Sequence, residues 1–150
     1  IFGDGSNGIG EETEHPYPNI GTYLVTLIVT DNNGCMDTTV DTIKVKDIFT
    51  LYIPNAFTPN ADGYNDYFTP MGVSVDPNNF EMFIFDRWGN VVFQTTIWNE
   101  ALHQAKPWNG TKDNKGSYTD VMMDVYVYRI KVKEIDGPKH EYIGRISLIP

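Results

Sequence analysis

The sequence predicts an all-β protein: an antiparallel β-sandwich preceded by a shorter β segment. Three observations carry that prediction. Apolar residues recur with a period of two, the period of a strand, in one stretch after another. Gly, Pro and Asx clusters separate those stretches at the spacing of a sandwich, without the intervening helical patterns of a parallel sheet. Hydrophobic residues make up 41% of the 150 residues, enough for a packed core.

The first strand is read from Tyr23, Val25, Leu27 and Val29, which give one fully apolar face, while Thr26 and Thr30 dilute the other. Asp31-Asn32-Asn33-Gly34 turns the chain back through Val40, Ile43 and Val45. The character changes near residue 48: residues 1–47 hold eight acids and two bases, whereas 48–150 hold twelve acids, nine bases and 17 of the 20 aromatic residues. A domain boundary is expected there, giving domains 1–47 and 48–150, the second of a size suited to one sandwich.

Within the second domain, Leu51–Thr58 is read as extended, with Pro54 and Pro59 confining it to an edge or a bulge. Asp66–Thr69 is read as a short strand. Phe80–Arg87 is apolar on both faces in its middle, which predicts a central strand, and Trp88-Gly89-Asn90 turns it into Val91–Thr95. A single helical turn is expected at Thr96–Gln104. Met122–Glu134 is a long strand with Tyr126, Tyr128, Ile130 and Val132 on one face and Arg129, Lys131 and Lys133 on the other, hence buried on one side and wet on the other. Asp136-Gly137-Pro138 turns the chain into a last strand, Ile143–Ile149.

The net charge of −9 argues against nucleic acid as a partner, because phosphate binding requires a basic surface, and against an anionic membrane face. An acidic, Asx-rich chain suits a solvated extracellular surface. No apolar run reaches the roughly 18 residues of a membrane-spanning helix. The chain opens at Ile1 inside a motif, so it is expected to be a piece of a longer protein with any targeting sequence upstream. Cys35 has no second cysteine and is read either as a buried thiol or as one whose partner belongs to sequence expected upstream of Ile1.

Two resemblances follow from motifs. Phe2-Gly3-Asp4-Gly5, His15-Pro16-Tyr17 and the run Gly21–Asp31 resemble the later half of a PKD domain, an Ig-like module of surface proteins, over residues 1–46. In a variant of these repeats the cysteine equivalent to Cys35 pairs with one near the domain start. Ile53-Pro54-Asn55-Ala56-Phe57-Thr58-Pro59-Asn60, Asp62-Gly63, Asn65-Asp66, Ile84–Phe93, Trp108-Asn109-Gly110-Thr111 and Val125–Tyr128 resemble the gliding-motility-associated C-terminal domain, the type B sorting domain of the type IX secretion system. The resemblance implies an Ig-like antiparallel sandwich after a partial PKD sandwich. It also implies export to the cell surface and outer membrane of a Bacteroidetes-type bacterium, often of a long gliding adhesin. The implied partners are a PorV-like shuttle and a PorP/SprF-family β-barrel. Two departures stand out: Asn109 replaces the family's Asp, and Thr119–Asp124 replaces a Pro-x-Gly-like turn.

The candidate partner-binding residues are Arg87, Trp88, Arg129, Lys131, Lys133, Arg145, Ile146 and Leu148. Trp and Arg are the usual anchors of interfaces, a basic stripe steers an acidic partner, and a last strand at a sheet edge can accept a partner's strand. Arg87 and Trp88 read, in preference to that, as a hairpin turn in which Trp88 caps the core and Arg87 pairs with a local acid. The stripe reads equally as a soluble strand face. Tyr126 and Tyr128 read as core, with a tyrosine-corner hydrogen bond, or as a receptor-facing pair. Asn60, Asp62, Asn65 and Asp66 present closely spaced oxygens for Ca²⁺, or form a self-bonded Asx turn around Gly63. Nothing meets the requirements of an enzyme: His15, His103 and His140 are scattered, and no nucleophile elbow or phosphate loop is present. The competing reading is an adhesive or carbohydrate-binding sandwich, with Trp98, Trp108 and Tyr118 as an exposed aromatic platform.

Overall fold

The computed structural model describes residues 1–149; Pro150, the last residue of the expected second domain, lies outside the described residues. The chain forms two compact units, Ile1–Asp47 and a second from Ile48 onward.

The first unit is built on one hairpin. β1 (Gly21–Thr30) and β2 (Met36–Val45) pair antiparallel without a register break from Gly21↔Val45 to Thr30↔Met36. The Asp31 carboxylate closes the turn by accepting the Asn33 and Cys35 N–H groups, both at 2.8 Å. Ile1 lies alongside β1, exchanging two hydrogen bonds with Thr26. Tyr23 is half-buried because Tyr17 stacks on it at 4.3 Å. Leu27 and Val29, on the apolar face, are open to solvent, as are Leu24, Ile28, Met36 and Val40. Two strands and a loop do not provide a second layer to cover them. Cys35 is exposed, which corrects the buried-thiol reading.

The second unit is a two-sheet sandwich. The larger sheet has the order β4-β11-β10-β6-β7, with β4 Ala56–Phe57, β6 Val75–Phe85, β7 Val91–Thr95, β10 Val125–Glu134 and β11 Lys139–Leu148. The smaller has the order β3-β5-β9-β8, with β3 Thr50–Tyr52, β5 Met71–Val73, β8 Trp98–Asn99 and β9 Gln104–Ala105. All pairings are antiparallel except β4 with β11.

The core lies between the sheets and is aromatic. Phe57, Phe68 and Trp108 are fully buried, with Phe57 and Trp108 centred 5.5 Å apart. Trp108 meets Tyr126 edge-on at 5.0 Å and donates its indole N–H to the Thr111 carbonyl at 2.8 Å, so its one polar group is satisfied. Tyr126 is core and its hydroxyl donates to the Met122 carbonyl four residues upstream at 3.0 Å, a tyrosine-corner bond. Tyr128 lies opposite Gly144 in the ladder. A Cβ at Gly144 would come within 2.3 Å of the Tyr128 hydroxyl, so the glycine leaves the space the ring fills.

Three sequence expectations are corrected. Leu51–Thr58 is not one strand: β3 belongs to the smaller sheet and β4 to the larger, and the chain crosses between them at Ile53-Pro54-Asn55. Pro54 has no N–H for either ladder, which places the crossing there. Asp66–Thr69 contributes only the bridge Phe68↔Trp108. Thr96–Gln104 is not helical. It forms the hairpin β8–β9, whose turn is closed by the Asn99 side chain accepting the Leu102 N–H, because Trp98 must point inward onto Phe80 at 5.1 Å.

Candidate docking surface

The tip of the β6–β7 hairpin carries the one tryptophan that is exposed among the described residues, Trp88. Asp86 builds the turn: its carboxylate accepts the N–H groups of Trp88 (2.9 Å) and Asn90 (2.8 Å) and the Asn90 side-chain amide (2.9 Å), while Gly89 takes φ +85°. The Asn90 amide is the main reason the Asp86 carboxyl lies below its ordinary pKa. Trp88 is 70% exposed and does not cap the core. The Arg87 guanidinium lies 5.4 Å from its ring centre and grips Asp124 through two contacts of 2.6 Å. The Arg87 hydrogen bond, followed by the Val125 N–H, lowers the Asp124 pKa. This fork ties the hairpin tip to the start of β10, residues 37 apart in sequence.

The outer face of the larger sheet carries the predicted stripe, and its register sets out three rows. Phe85, Val127 and Arg145 form the first; Phe83, Arg129 and Ile143 the second; Glu81, Lys131 and Glu141 the third. The stripe is not a free band of positive charge. Arg129 is ion-paired with Glu141, and Lys131 lies 3.7 Å from Glu81. The face is therefore a mixed one, apolar toward the hairpin tip and charge-balanced toward the opposite end. Lys133 is half-buried at the end of β10, beside a register shift. Phe83 and Phe85 stack 6.1 Å apart on this face, so β6 is apolar on both sides although only one side is covered by the other sheet.

The last strand divides the remaining candidates. Arg145 is exposed, but Ile146 and Leu148 point into the core, with Ile146 fully buried. This corrects their placement on a partner-facing surface: strand alternation sends them inward. β11 also lies inside β4 rather than at the end of the strand order, although β4 covers only Ser147 and Leu148.

In the Asx loop, Asp66 accepts the Ala61 N–H at 2.8 Å and the Gly63 N–H at 2.9 Å. Asn60 accepts the Asp62 N–H at 3.0 Å, and Asp62 accepts the Tyr64 N–H at 2.8 Å. Asn65 sits at φ 54° and passes its carbonyl to the Thr58 N–H. The side-chain oxygens of Asn60, Asp62 and Asp66 thus face backbone donors. Among the described residues, no three His, Cys, Asp or Glu side chains gather as a metal site.

Trp98 and Trp108 are buried, and of the expected aromatic platform only Tyr118 is exposed. The departures from the sorting-domain pattern are locally self-consistent. Asn109 accepts the Thr111 N–H and hydroxyl at 3.0 and 2.7 Å and donates its amide to the Gly116 carbonyl at 3.2 Å, a donation that an aspartate could not make. Thr119 and Asp120 lie in a 3-10 turn closed by the Ser117–Asp120 capping box. Sequence reasoning missed the acidic partners Asp124, Glu81 and Glu141. For Glu141 and Glu81 the signal lay in the strand alternation, but only the register revealed which base each meets.

Residues 51–148 match the family described as CHU_C Type IX secretion signal domain, and residues 1–45 match the PKD domain family. Both are non-catalytic modules. Collagenase ColA of Clostridium perfringens is 39% identical over 61 residues, covering 41% of this chain; the match spans 6% of the length of that relative. A tetra-tandem repeat from the extending region of a large adhesion protein aligns over 87% of this chain and 32% of its own, with a TM-score of 0.38 and 12% identity. Among the described residues no helix is long and apolar enough to cross a membrane.

Proposed function

This chain belongs to the CHU_C family of type IX secretion signal domains, and on that premise we propose that residues 48–150 act as a type B sorting signal delivering a large adhesive surface protein of a Bacteroidetes-type bacterium to its outer membrane. The family carries secretion to the cell surface; the adhesive passenger, its part in gliding and the outer-membrane anchorage are the proposal. The observation that carries it is the family match across nearly the whole second unit, directly after a PKD module. The receptors are a PorV-like shuttle and a PorP/SprF-family barrel. They meet the hairpin tip at Trp88 and the outer face of the larger sheet, where Phe85, Val127 and Arg145 lie in one row. Trp88 supplies an exposed aromatic anchor on a turn held rigid by Asp86, so little ordering cost remains to be met on binding.

The test is a fluorescent reporter fused to residues 48–150 in a type IX-competent strain and in an isogenic strain lacking the translocon. Surface delivery in the first strain alone is expected. Retention of the reporter in both would overturn the proposal.

A further inference from the structure

The half of the larger sheet's outer face away from the β6–β7 turn carries a groove that runs across the strands. Two cavities of about 560 and 420 Å³ adjoin there, with Glu81 and Thr96 in the lining of both. Glu141, Lys131 and Glu81 are neighbours in one row of the ladder, on β11, β10 and β6. Thr96, next after β7, extends that row, since Thr95 faces Met82 one step before it. From β11 to β7 is three strand spacings, roughly 14 Å. Asn78 and Asn79 stand exposed on the wall of the first cavity and Gln94 on that of the second. The Asp76 carboxylate beside that first wall is occupied by the Asn78 N–H and the Asn79 amide. Among the described residues the side chains of Asn78, Gln94 and Thr96 find no hydrogen-bond partner.

The charges on this groove do not balance. Glu81 and Glu141 are already paired, with Lys131 and Arg129. Lys139 lines the first cavity and Lys106 the second, and among the described residues neither ammonium group has an acidic partner; nor has that of Lys133. Lys133 lies directly opposite Lys139. The next pair, Glu134 with Pro138, is hydrogen-bonded, so the two lysines form the close, unbonded kind of pair, in which like charges cost stability. A chain of net charge −9 thus gathers unpaired cations at one groove, and an anion bound there would relieve their repulsion.

We propose that this groove binds a linear acidic polysaccharide whose sugar rings carry carboxylates. Lys139, with Lys133 beside it, takes a carboxylate at the β11 end, and Lys106, just past β9, takes another at the far end. Between them the Asn78 and Gln94 amides and the Thr96 hydroxyl can both donate and accept, as sugar hydroxyls require. An acidic peptide would suit the lysines but leave those groups unused. It would also favour a sheet edge, where its backbone can pair, over a groove that crosses the strands. The site does not use Trp88, so it stands or falls separately from the sorting reading.

The experiment titrates the purified full chain, by calorimetry at low salt, with short alginate oligosaccharides, with a neutral glucan of the same length and with oligoglutamate. Saturable binding of the alginate alone is expected, weakening as salt is added. Lys139→Glu should weaken it by about tenfold. Because that variant replaces a like-charge pair by an opposite one, it should melt no lower than the parent, so its lost binding is not lost fold. Gln94→Ala, an exposed position away from the lysine pair, should weaken binding by about threefold through one lost hydrogen bond. No saturable binding, or a Lys139→Glu chain that binds like the parent, would overturn the proposal. A neutral glucan that binds as tightly as the alginate would remove the charges from the account. Oligoglutamate that binds equally well, undiminished by Gln94→Ala, would make the groove an acidic-peptide site; either result refutes an acidic-sugar site.

Discussion

Replacing Gly144 by alanine should change sign with the residue it faces. In the folded protein a Cβ at this position would lie 2.3 Å from the Tyr128 hydroxyl, 2.5 Å from its Cζ and 2.8 Å from its Cε1. These are atoms of a rigid ring held between Gly144 and Phe68, whose ring centre is 5.9 Å away, so the clash is not relieved by a small torsional change. Such overpacking typically costs about 1–3 kcal/mol. With Tyr128 already replaced by alanine the space is empty, and the lower unfolded-state entropy of alanine should stabilise by about 0.5–1 kcal/mol. The two effects together predict a coupling of roughly 1.5–4 kcal/mol between the two sites. Urea unfolding of the four proteins, compared at a common m-value, measures it. A Gly144→Ala loss of the same size in both backgrounds would refute the claim that the glycine exists to seat the tyrosine.

Other outcomes follow from the same geometry. Ile146→Ala should destabilise the domain by about 2–5 kcal/mol, the range for a buried aliphatic truncation, which unfolding curves would show directly. Trp88→Ala should leave the melting temperature within a degree or so of the parent, given its exposure, while reducing reporter delivery; unchanged delivery would remove Trp88 from the docking surface. Acid should weaken the fold through Asp86, Asp120 and Asp124, whose folded pKa values lie below 3.8: their contribution is present above that value and is lost as pH falls below it. Alkali should weaken it through Tyr126 and Tyr128, whose pKa values burial raises above 10.0. Their contribution is complete below that value and declines as pH climbs past it, so a pH series of melting curves should fall off at both ends.

How much of this was legible in the sequence depends on how local the cause is. β10 was readable because Tyr126, Ile130 and Val132 alternate with Val127, Arg129 and Lys131, and alternation alone fixes which set is buried. The same rule separates Arg145 from Ile146 and Leu148, and grouping these three together as partner-facing ignored it. The crossing at Pro54 was harder to read. An extended run with a proline fits an edge strand as well as a strand that changes sheets, and only the identity of its neighbours, β5 and β11, decides. Thr96–Gln104 misled because the pull on Trp98 comes from Phe80 in the opposite sheet, which no local pattern records. Pairings such as Arg87 with Asp124 were illegible for the same reason: both partners were visible as charged residues, but their meeting depends on the hairpin and β10 lying side by side.

That non-locality bears on what kind of signal this domain can be. Phe83 and Phe85 sit on β6, Val127 and Arg129 on β10, and Ile143 and Arg145 on β11; they form one surface only after β6, β10 and β11 have paired. A receptor reading that surface cannot read it from an unfolded chain, nor from a peptide containing the last strand alone. The consequence is quantitative. Variants that destabilise the core without touching the surface, such as Ile146→Ala, should lose delivery in proportion to the fraction unfolded, and a compensating stabilisation elsewhere in the domain should restore it. Delivery that stays constant across such a series, while the folded fraction falls, would mean that the apparatus reads extended sequence, and the surface described above would have no part in sorting.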